Sequence, residues 1–121
     1  MFFISFFNPK ARLFIKGRIN VLGKVHKDLK DIDSEIVWMH CASLGEFEQG
    51  KPVLQSILKT NTSLTPVISF FSPSGYEIVK KKGEFPYIYY LPMDSFVNAR
   101  LWLKFVNPKL ILWVKYEYWY F

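Results

Sequence analysis

The chain carries four short apolar runs, at residues 36–41, 66–71, 86–91 and 110–114. Each run is almost continuously apolar, whereas a strand with one face in water alternates apolar and polar residues. The pattern therefore predicts four β-strands that are covered on both faces.

Three segments between these runs show helical spacing or helix start signals. Residues 52–59 place apolar side chains on one stripe, namely Val53, Leu54, Ile57 and Leu58. Ser72 followed by Pro73 predicts an N-cap and the first helical residue of a second helix. In a third helix, Asp94 is the predicted cap and Asn107-Pro108 the end. Its predicted apolar face is Phe96, Val97, Ala99, Leu101, Leu103 and Phe105.

Strands and helices alternate along the chain, which is the pattern of parallel βαβ units with right-handed connections. The predicted fold is a Rossmann-like α/β sheet with helices on both faces. A chain of 121 residues amounts to one small domain or a piece of a larger protein. Because residues 113–121 are so aromatic, we expect the lobe to be incomplete.

Composition restricts the function classes. Half of the residues are hydrophobic, which excludes a disordered tail. The single cysteine, Cys41, excludes an internal disulfide, and two histidines with one cysteine do not make a zinc cluster. The net charge of +6 favours anionic partners: phosphate groups, nucleic acid or an acidic membrane surface.

Residues 1–32 form a predicted basic, partly apolar, membrane-proximal segment that precedes the lobe at 33–121. No apolar run approaches the roughly 20 residues that cross a bilayer. A signal peptide places positive charge before its apolar stretch, whereas here the charge follows it. Aromatic residues beside bases favour a segment lying on a membrane, with Lys10, Arg12, Lys16 and Arg18 facing anionic headgroups. The alternative is an N-terminal helix docked on its own domain with a solvated basic face.

The loops after the strands are the candidate sites, because open α/β sheets bind ligands at the carboxyl ends of their strands. No glycine-rich dinucleotide or P-loop motif is present. In the first loop Gly45 permits a tight turn or a close ligand approach, and Glu46 is a candidate general base. The spacing of Ser43 and Glu46 also fits a capping box. Because of Pro52, a helix beginning near Lys51 is the alternative, and it would leave Glu46 uncommitted in the loop.

Weaker candidates lie in the other loops. Ser72, Ser74 and Gly75 either hold a phosphate or sugar or merely cap a helix. His40 is either a core histidine or part of the site lining. For the lysines at 80–82, a solvated helix end is favoured over a nucleic-acid patch. Glu117, with Lys115, is either a surface ion pair or the lining of a cleft.

Several short sequence segments, taken in chain order, resemble segments of the amino-terminal lobe of the 3-deoxy-D-manno-octulosonic acid (Kdo) transferases. They are His40-Cys-Ala-Ser-Leu-Gly-Glu46, Ser72-Pro-Ser-Gly75, Tyr90-Leu-Pro-Met-Asp94, Asn107-Pro-Lys-Leu-Ile-Leu112 and Glu117-Tyr-Trp119. The resemblance covers nearly the whole chain from about Phe7 onward.

The resemblance implies an inverting, metal-independent glycosyltransferase of the GT-B type that needs no cofactor. It implies CMP-Kdo as donor, a lipid A precursor as acceptor substrate, no nucleic-acid partner, and a place on the cytoplasmic face of the bacterial inner membrane. Glu46 corresponds to the family's general base, and Ser43, Gly45, Ser72, Ser74, Gly75 and Glu117 to substrate-binding positions. Lys115 stands where the family has an acidic residue.

We expect the carboxyl-terminal, donor-binding lobe of that family to be absent from this chain. We therefore expect the isolated chain to lack turnover. Two alternatives stay open at the level of the sequence. One is a non-catalytic basic α/β module that binds a phosphorylated ligand or an anionic membrane, and the other is a different GT-B glycosyltransferase.

Overall fold

The computed structural model describes residues 21–92 and 95–114, and within them helices and strands alternate as predicted. In chain order the elements are α1 (Val21–Leu29), β1 (Ile36–Cys41), α2 (Leu44–Thr60), β2 (Thr65–Phe70), α3 (Pro73–Lys82), β3 (Ile88–Tyr90), α4 (Phe96–Val106) and β4 (Pro108–Val114). All four predicted strands are present, although β3 is shorter than its apolar run.

The four strands form one parallel sheet in the order β3-β2-β1-β4. The register sets Cys41, at the end of β1, opposite Phe70 of β2 and Val114 of β4. Three strands therefore end at the same edge of the sheet. This arrangement confirms the predicted Rossmann-like α/β architecture.

Two hydrophobic cores cover the two faces of the sheet. The first lies under α1 and α4 and contains Val21, Val25, Leu29, Ile36, Trp38, Val67, Tyr89, Leu91, Trp102 and Val106. The second lies under α2 and α3 and contains Val37, Met39, Cys41, Phe47, Leu54, Ile68, Phe70, Val79, Phe85 and Ile88. Successive residues of β1 alternate between the two cores, so a continuous apolar run was needed to fill both.

Helix α1 joins part of the predicted membrane-proximal segment to the lobe. Its buried stripe packs on the sheet, and the Tyr89 hydroxyl donates a 2.8 Å hydrogen bond to Asp28 Oδ2. Burial, together with that carboxylate, raises the pKa of Tyr89. The bases of α1, Lys24 and Lys27, are exposed. Lys10, Arg12, Lys16 and Arg18 lie outside the described residues, so their membrane contact stays a prediction.

The structure corrects the predicted apolar faces of two helices. In α2 the buried residues include Phe47, Gly50 and Leu54, whereas Val53 is exposed. In α4 the buried residues are Trp102 and Val106, while Phe96, Val97 and Leu103 are exposed. The predictions were wrong because apolar residues occur on more than one side of each helix, so periodicity alone did not select the packed stripe.

Strand β4 also differs from its prediction. Leu110, Ile111 and Trp113 are exposed, so the expectation of two covered faces is wrong for β4 within the described part of the chain. The N-cap of α4 is Ser95, whose Oγ accepts from Asn98 N at 3.1 Å. The predicted cap, Asp94, lies outside the described residues.

The close packing of α2 on the sheet generates a stability prediction. A Cβ at Gly50 would stand 2.6 Å from Val114 Cγ2 and 2.9 Å from Met39 Sδ. We expect Gly50→Ala to lower the free energy of unfolding by about 1–3 kcal/mol, because the helix must shift away from the strands. Urea unfolding at neutral pH measures the change.

Gly23 of α1 provides the matched control, because a Cβ there meets nothing within 4 Å. Gly23→Ala should raise the free energy of unfolding by roughly 0.5–1 kcal/mol through helix propensity. Equal effects of the two substitutions would contradict close packing at Gly50.

Candidate active site

The loops that follow β1 and β2 are hydrogen-bonded to each other at the carboxyl edge of the sheet. Phe71 N donates to Cys41 O at 3.2 Å, and Ser72 N donates to Ala42 O at 3.0 Å. A Cβ at Gly75 would stand 3.1 Å from Leu44 N, so the first turn of α3 lies directly against the start of α2. The amino termini of two helices therefore meet at this edge.

Glu46 lies in the first turn of α2 and is buried. Its Oε1 accepts a hydrogen bond from Ala42 N at 2.5 Å, while its own backbone N donates to Ser43 Oγ at 3.4 Å. The bond from Glu46 N to Ser43 Oγ is one half of a capping box, whereas the Glu46 carboxylate accepts from Ala42, the residue before the Ser43 N-cap, where a standard capping box uses the N–H of the N-cap itself. The capping role considered for Glu46 is thus present in the structure.

The expectation that the helix begins near Pro52 is wrong, because α2 begins at Leu44 and contains Pro52. A proline inside a helix removes one N–H and thereby one hydrogen bond. Pro52 is exposed, so water can satisfy the carbonyl that loses its helical partner. Glu46 consequently belongs to the helix and not to a preceding loop.

Gly45 also lies inside the first turn of α2, and its φ is not in the left-handed region. The tight turn predicted for it is therefore wrong. Gly45 is exposed, and a Cβ there would meet only Ser43 Oγ, at 3.9 Å. The open space above Gly45 is compatible with the close approach of a ligand.

The Ser72 N-cap and Pro73 start of α3 are confirmed. Ser72 Oγ accepts from Gly75 N at 3.5 Å and is 2.8 Å from Ser74 Oγ. Gly75 is buried against the Phe70 ring, where a Cβ would stand at 2.9 Å, so its small size serves helix packing. The Ser74 hydroxyl is on the exposed side of the turn.

Cys41 ends β1 beneath this edge and is fully buried. Burial raises the pKa of its thiol to about 12, and the Glu46 carboxylate adds to the shift. A thiol with so high a pKa stays protonated at neutral pH and is a poor nucleophile. Cys41 thus contributes packing to the edge and no covalent chemistry.

A buried polar group on β2 escaped the sequence analysis. Ser69 is fully buried, and its Oγ lies 2.7 Å from Trp38 Nε1 and 2.8 Å from His40 Nδ1. The His40 ring also packs on the Trp113 ring, with centroids 4.5 Å apart. The available signal was a single polar residue in the middle of the apolar run at 66–71, directly across the sheet from the histidine.

The structure brings six of the predicted site residues to one edge of the sheet: Ser43, Gly45, Glu46, Ser72, Ser74 and Gly75. Glu117, with Lys115, lies outside the described residues. Two convergent helix amino termini with exposed hydroxyls favour a negatively charged ligand. A buried carboxylate beside them can accept a proton from a hydroxyl group.

A cleft of about 720 Å³ lies at the opposite end of the sheet, between the carboxyl ends of α1 and α4. Its lining includes His26, Lys30, Glu35, Lys104 and Lys109. None of the predicted site residues that the structure describes contributes to this lining. The cleft is therefore separate from the candidate active site.

Comparison with known proteins shows which proteins the sequence of this chain resembles. Residues 8–121 match the family described as 3-Deoxy-D-manno-octulosonic-acid transferase (kdotransferase). The chain is 30% identical over 84 residues to the 3-deoxy-D-manno-octulosonic acid transferase of Aquifex aeolicus. This match covers 69% of this chain and 23% of that protein. The protein of the same name from Haemophilus influenzae is 31% identical over 84 residues, covering 69% and 20%.

A third relative is a bifunctional glycosyltransferase/methyltransferase of Fusobacterium nucleatum, 32% identical over 120 residues. That match covers 94% of this chain and 17% of the relative. The chain thus spans less than a quarter of the length of the curated relatives it matches.

The capping geometry of Glu46 predicts how two substitutions differ. Glu46→Gln keeps a side-chain oxygen for Ala42 N and should change the free energy of unfolding by less than about 0.5 kcal/mol. Glu46→Ala removes that acceptor and should cost roughly 1 kcal/mol. Urea unfolding compares them, with the exposed Glu48→Ala as the matched control. Equal losses for the Gln and Ala variants would show that the oxygen at position 46 does not cap the helix.

Proposed function

Because the chain belongs to the 3-deoxy-D-manno-octulosonic-acid (Kdo) transferase family, we propose that it is the acceptor-side lobe of a GT-B glycosyltransferase of lipopolysaccharide synthesis. The proposed donor is CMP-Kdo and the proposed acceptor substrate is a lipid A precursor. The observation that carries the proposal is the position of Glu46, a buried carboxylate at the carboxyl edge of the sheet, where α/β folds bind ligands.

The proposed reaction is a single displacement with inversion. An acceptor hydroxyl gives its proton to the Glu46 carboxylate as its oxygen bonds to the anomeric carbon of Kdo. The bond from that carbon to the phosphate oxygen of CMP breaks, and CMP leaves with the electron pair. Because a phosphate ester is a good leaving group, the reaction needs little acid assistance, and the proposal involves no metal ion.

The capping role of Glu46 is compatible with that of a base. An ionised carboxylate offers about four lone-pair sites on its two oxygens. The hydrogen bond from Ala42 N to Oε1 uses one of them and fixes the orientation of the group. A base held in place in this manner loses no further side-chain freedom when the acceptor hydroxyl arrives.

The helix starts beside Glu46 support an acceptor substrate that carries phosphate. The Ser43 and Ser72 caps, together with the Ser74 hydroxyl, stand where the positive ends of the α2 and α3 dipoles meet. We assign them, with the open surface above Gly45, to the binding of a phosphorylated sugar. In this proposal Gly75 contributes by letting the two helix starts approach each other.

The transfer is tested with a chimera, because this chain spans less than a quarter of the length of the curated transferases it matches. The residues of this chain that align with the Aquifex aeolicus transferase replace the matching segment of that enzyme. Transfer of radiolabelled Kdo from CMP-Kdo to a lipid A precursor is then measured. We expect activity in the chimera and a loss of at least about 100-fold in Glu46→Gln, which keeps the cap but removes the base.

Glu48→Gln in the same chimera is the matched control and should leave transfer unchanged, because Glu48 is exposed and two residues away. The isolated chain should give no product above its own Glu46→Ala variant. Full activity in the Glu46→Gln chimera would refute the assignment of the base. Transfer to an unrelated acceptor sugar at the same rate would favour another GT-B glycosyltransferase, and a folded but inactive chimera would favour a non-catalytic module.

We further propose that the lobe contacts the anionic cytoplasmic face of the inner membrane. Within the described residues, no helix is long and apolar enough to span a bilayer. The outer face of α4 supports a surface contact: Phe96 is 77% and Val97 64% exposed, and they lie beside the bases Arg100 and Lys104. Exposed apolar residues next to bases are typical of helices that lie on anionic membranes.

Flotation with vesicles of anionic phospholipid tests this contact. The chain should float at low salt and float less at high salt, since screening weakens its attraction to the headgroups. The double substitution Phe96→Ser and Val97→Ser should reduce the floating fraction several-fold. Val53→Ser, at an apolar position of α2 that is 53% exposed, should not. Absence of flotation at both salt concentrations would refute the membrane proposal.

A further inference from the structure

The Ser69 hydroxyl on β2 contacts the side chains of Trp38 and His40 on β1. The two residues face each other across the β1–β2 ladder, and both side chains are buried, with 0% of Ser69 and 5% of His40 exposed. Ser69 Oγ lies 2.7 Å from Trp38 Nε1 and 2.8 Å from His40 Nδ1. The hydroxyl therefore joins two aromatic side chains of the neighbouring strand.

The two partners of the Ser69 hydroxyl differ in whether they can donate or accept a hydrogen bond. An indole N–H is only a donor, so Trp38 Nε1 donates a hydrogen bond to a lone pair of Ser69 Oγ. The hydroxyl hydrogen of Ser69 still needs an acceptor, since a buried donor without a hydrogen bond is unfavourable. Among the side-chain bonds of the described residues, His40 Nδ1 is the acceptor that Ser69 has within reach. A nitrogen that accepts a hydrogen bond carries no proton.

We propose that Ser69 is a positioning residue that acts through His40: the Trp38–Ser69–His40 chain holds the His40 ring in one neutral tautomer, with the proton on Nε2. His40 then acts as a hydrogen-bond donor at the carboxyl edge of the sheet and cannot take the proton of the acceptor hydroxyl. Proton abstraction stays with Glu46, six residues further along the chain. The part of this inference that concerns the reaction rests on the proposed function, whereas the tautomer rests on the contacts alone.

Long-range proton–nitrogen NMR correlations of the uniformly ¹⁵N-labelled chain test the tautomer. The two neutral tautomers and the imidazolium give different patterns, and His26→Gln identifies which signals belong to His40. At neutral pH we expect the Nε2–H pattern for His40. The Nδ1–H pattern, or an imidazolium, would overturn the inference without the need for any variant at Ser69.

Two substitutions around the hydroxyl separate its contacts. Ser69→Ala removes the donor to Nδ1, so the ring should become a mixture of tautomers. Trp38→Phe removes the other partner of the same hydroxyl and should leave the Nε2–H pattern unchanged, because Ser69 still donates to His40. A pure Nε2–H pattern in Ser69→Ala would show that something other than Ser69 fixes the ring.

The same two substitutions in the Kdo-transferring chimera test the positioning role. We expect Ser69→Ala to lower kcat about tenfold and Trp38→Phe to lower it less. Unchanged kcat in Ser69→Ala, with the tautomers mixed, would overturn the positioning role and leave the proposed function intact. An inactive parent chimera would count against the proposed function, while the NMR result would still decide the tautomer.

Discussion

Two backbone hydrogen bonds continue the pairing of β1 and β2 past the end of the sheet, and the candidate site depends on them. They join Phe71 N to Cys41 O and Ser72 N to Ala42 O. Because the segments after β1 and β2 leave the sheet together, α2 and α3 begin side by side, and Gly75 provides the space for their contact. Side chains nearly thirty positions apart in sequence thereby share one edge.

At this edge, different polar side chains lie on the two faces of the sheet. Glu46 and the inert Cys41 thiol lie on the α2 and α3 side, where one caps a helix and the other fills the core. Trp38 and His40 point to the other core and are joined through Ser69. The alternation of side chains along β1 therefore places His40 on one face of the sheet and Cys41, beneath Glu46, on the other.

The sequence allowed prediction of the architecture but not of every helix face. The runs at 36–41 and 66–71 were decisive because β1 and β2 are buried on both sides. The start of α2 was predicted wrongly because a proline is tolerated inside a helix where water can satisfy the carbonyl that loses its partner. Pro52 is exposed in this way, and the periodicity of apolar residues does not reveal it. Ser69 was missed because the value of a buried hydroxyl depends on a partner from another strand.

A carboxylate fixed by its own helix is suited to one step of a transfer and cannot perform the whole. The hydrogen bond from Ala42 N orients Glu46, but the rate of a displacement also depends on holding the anomeric carbon in line with the attacking hydroxyl. In the proposed reaction, this edge of the sheet supplies the base and binds the acceptor substrate. The chain spans less than a quarter of the length of its curated relatives, and the proposed transfer also requires a surface that holds the donor.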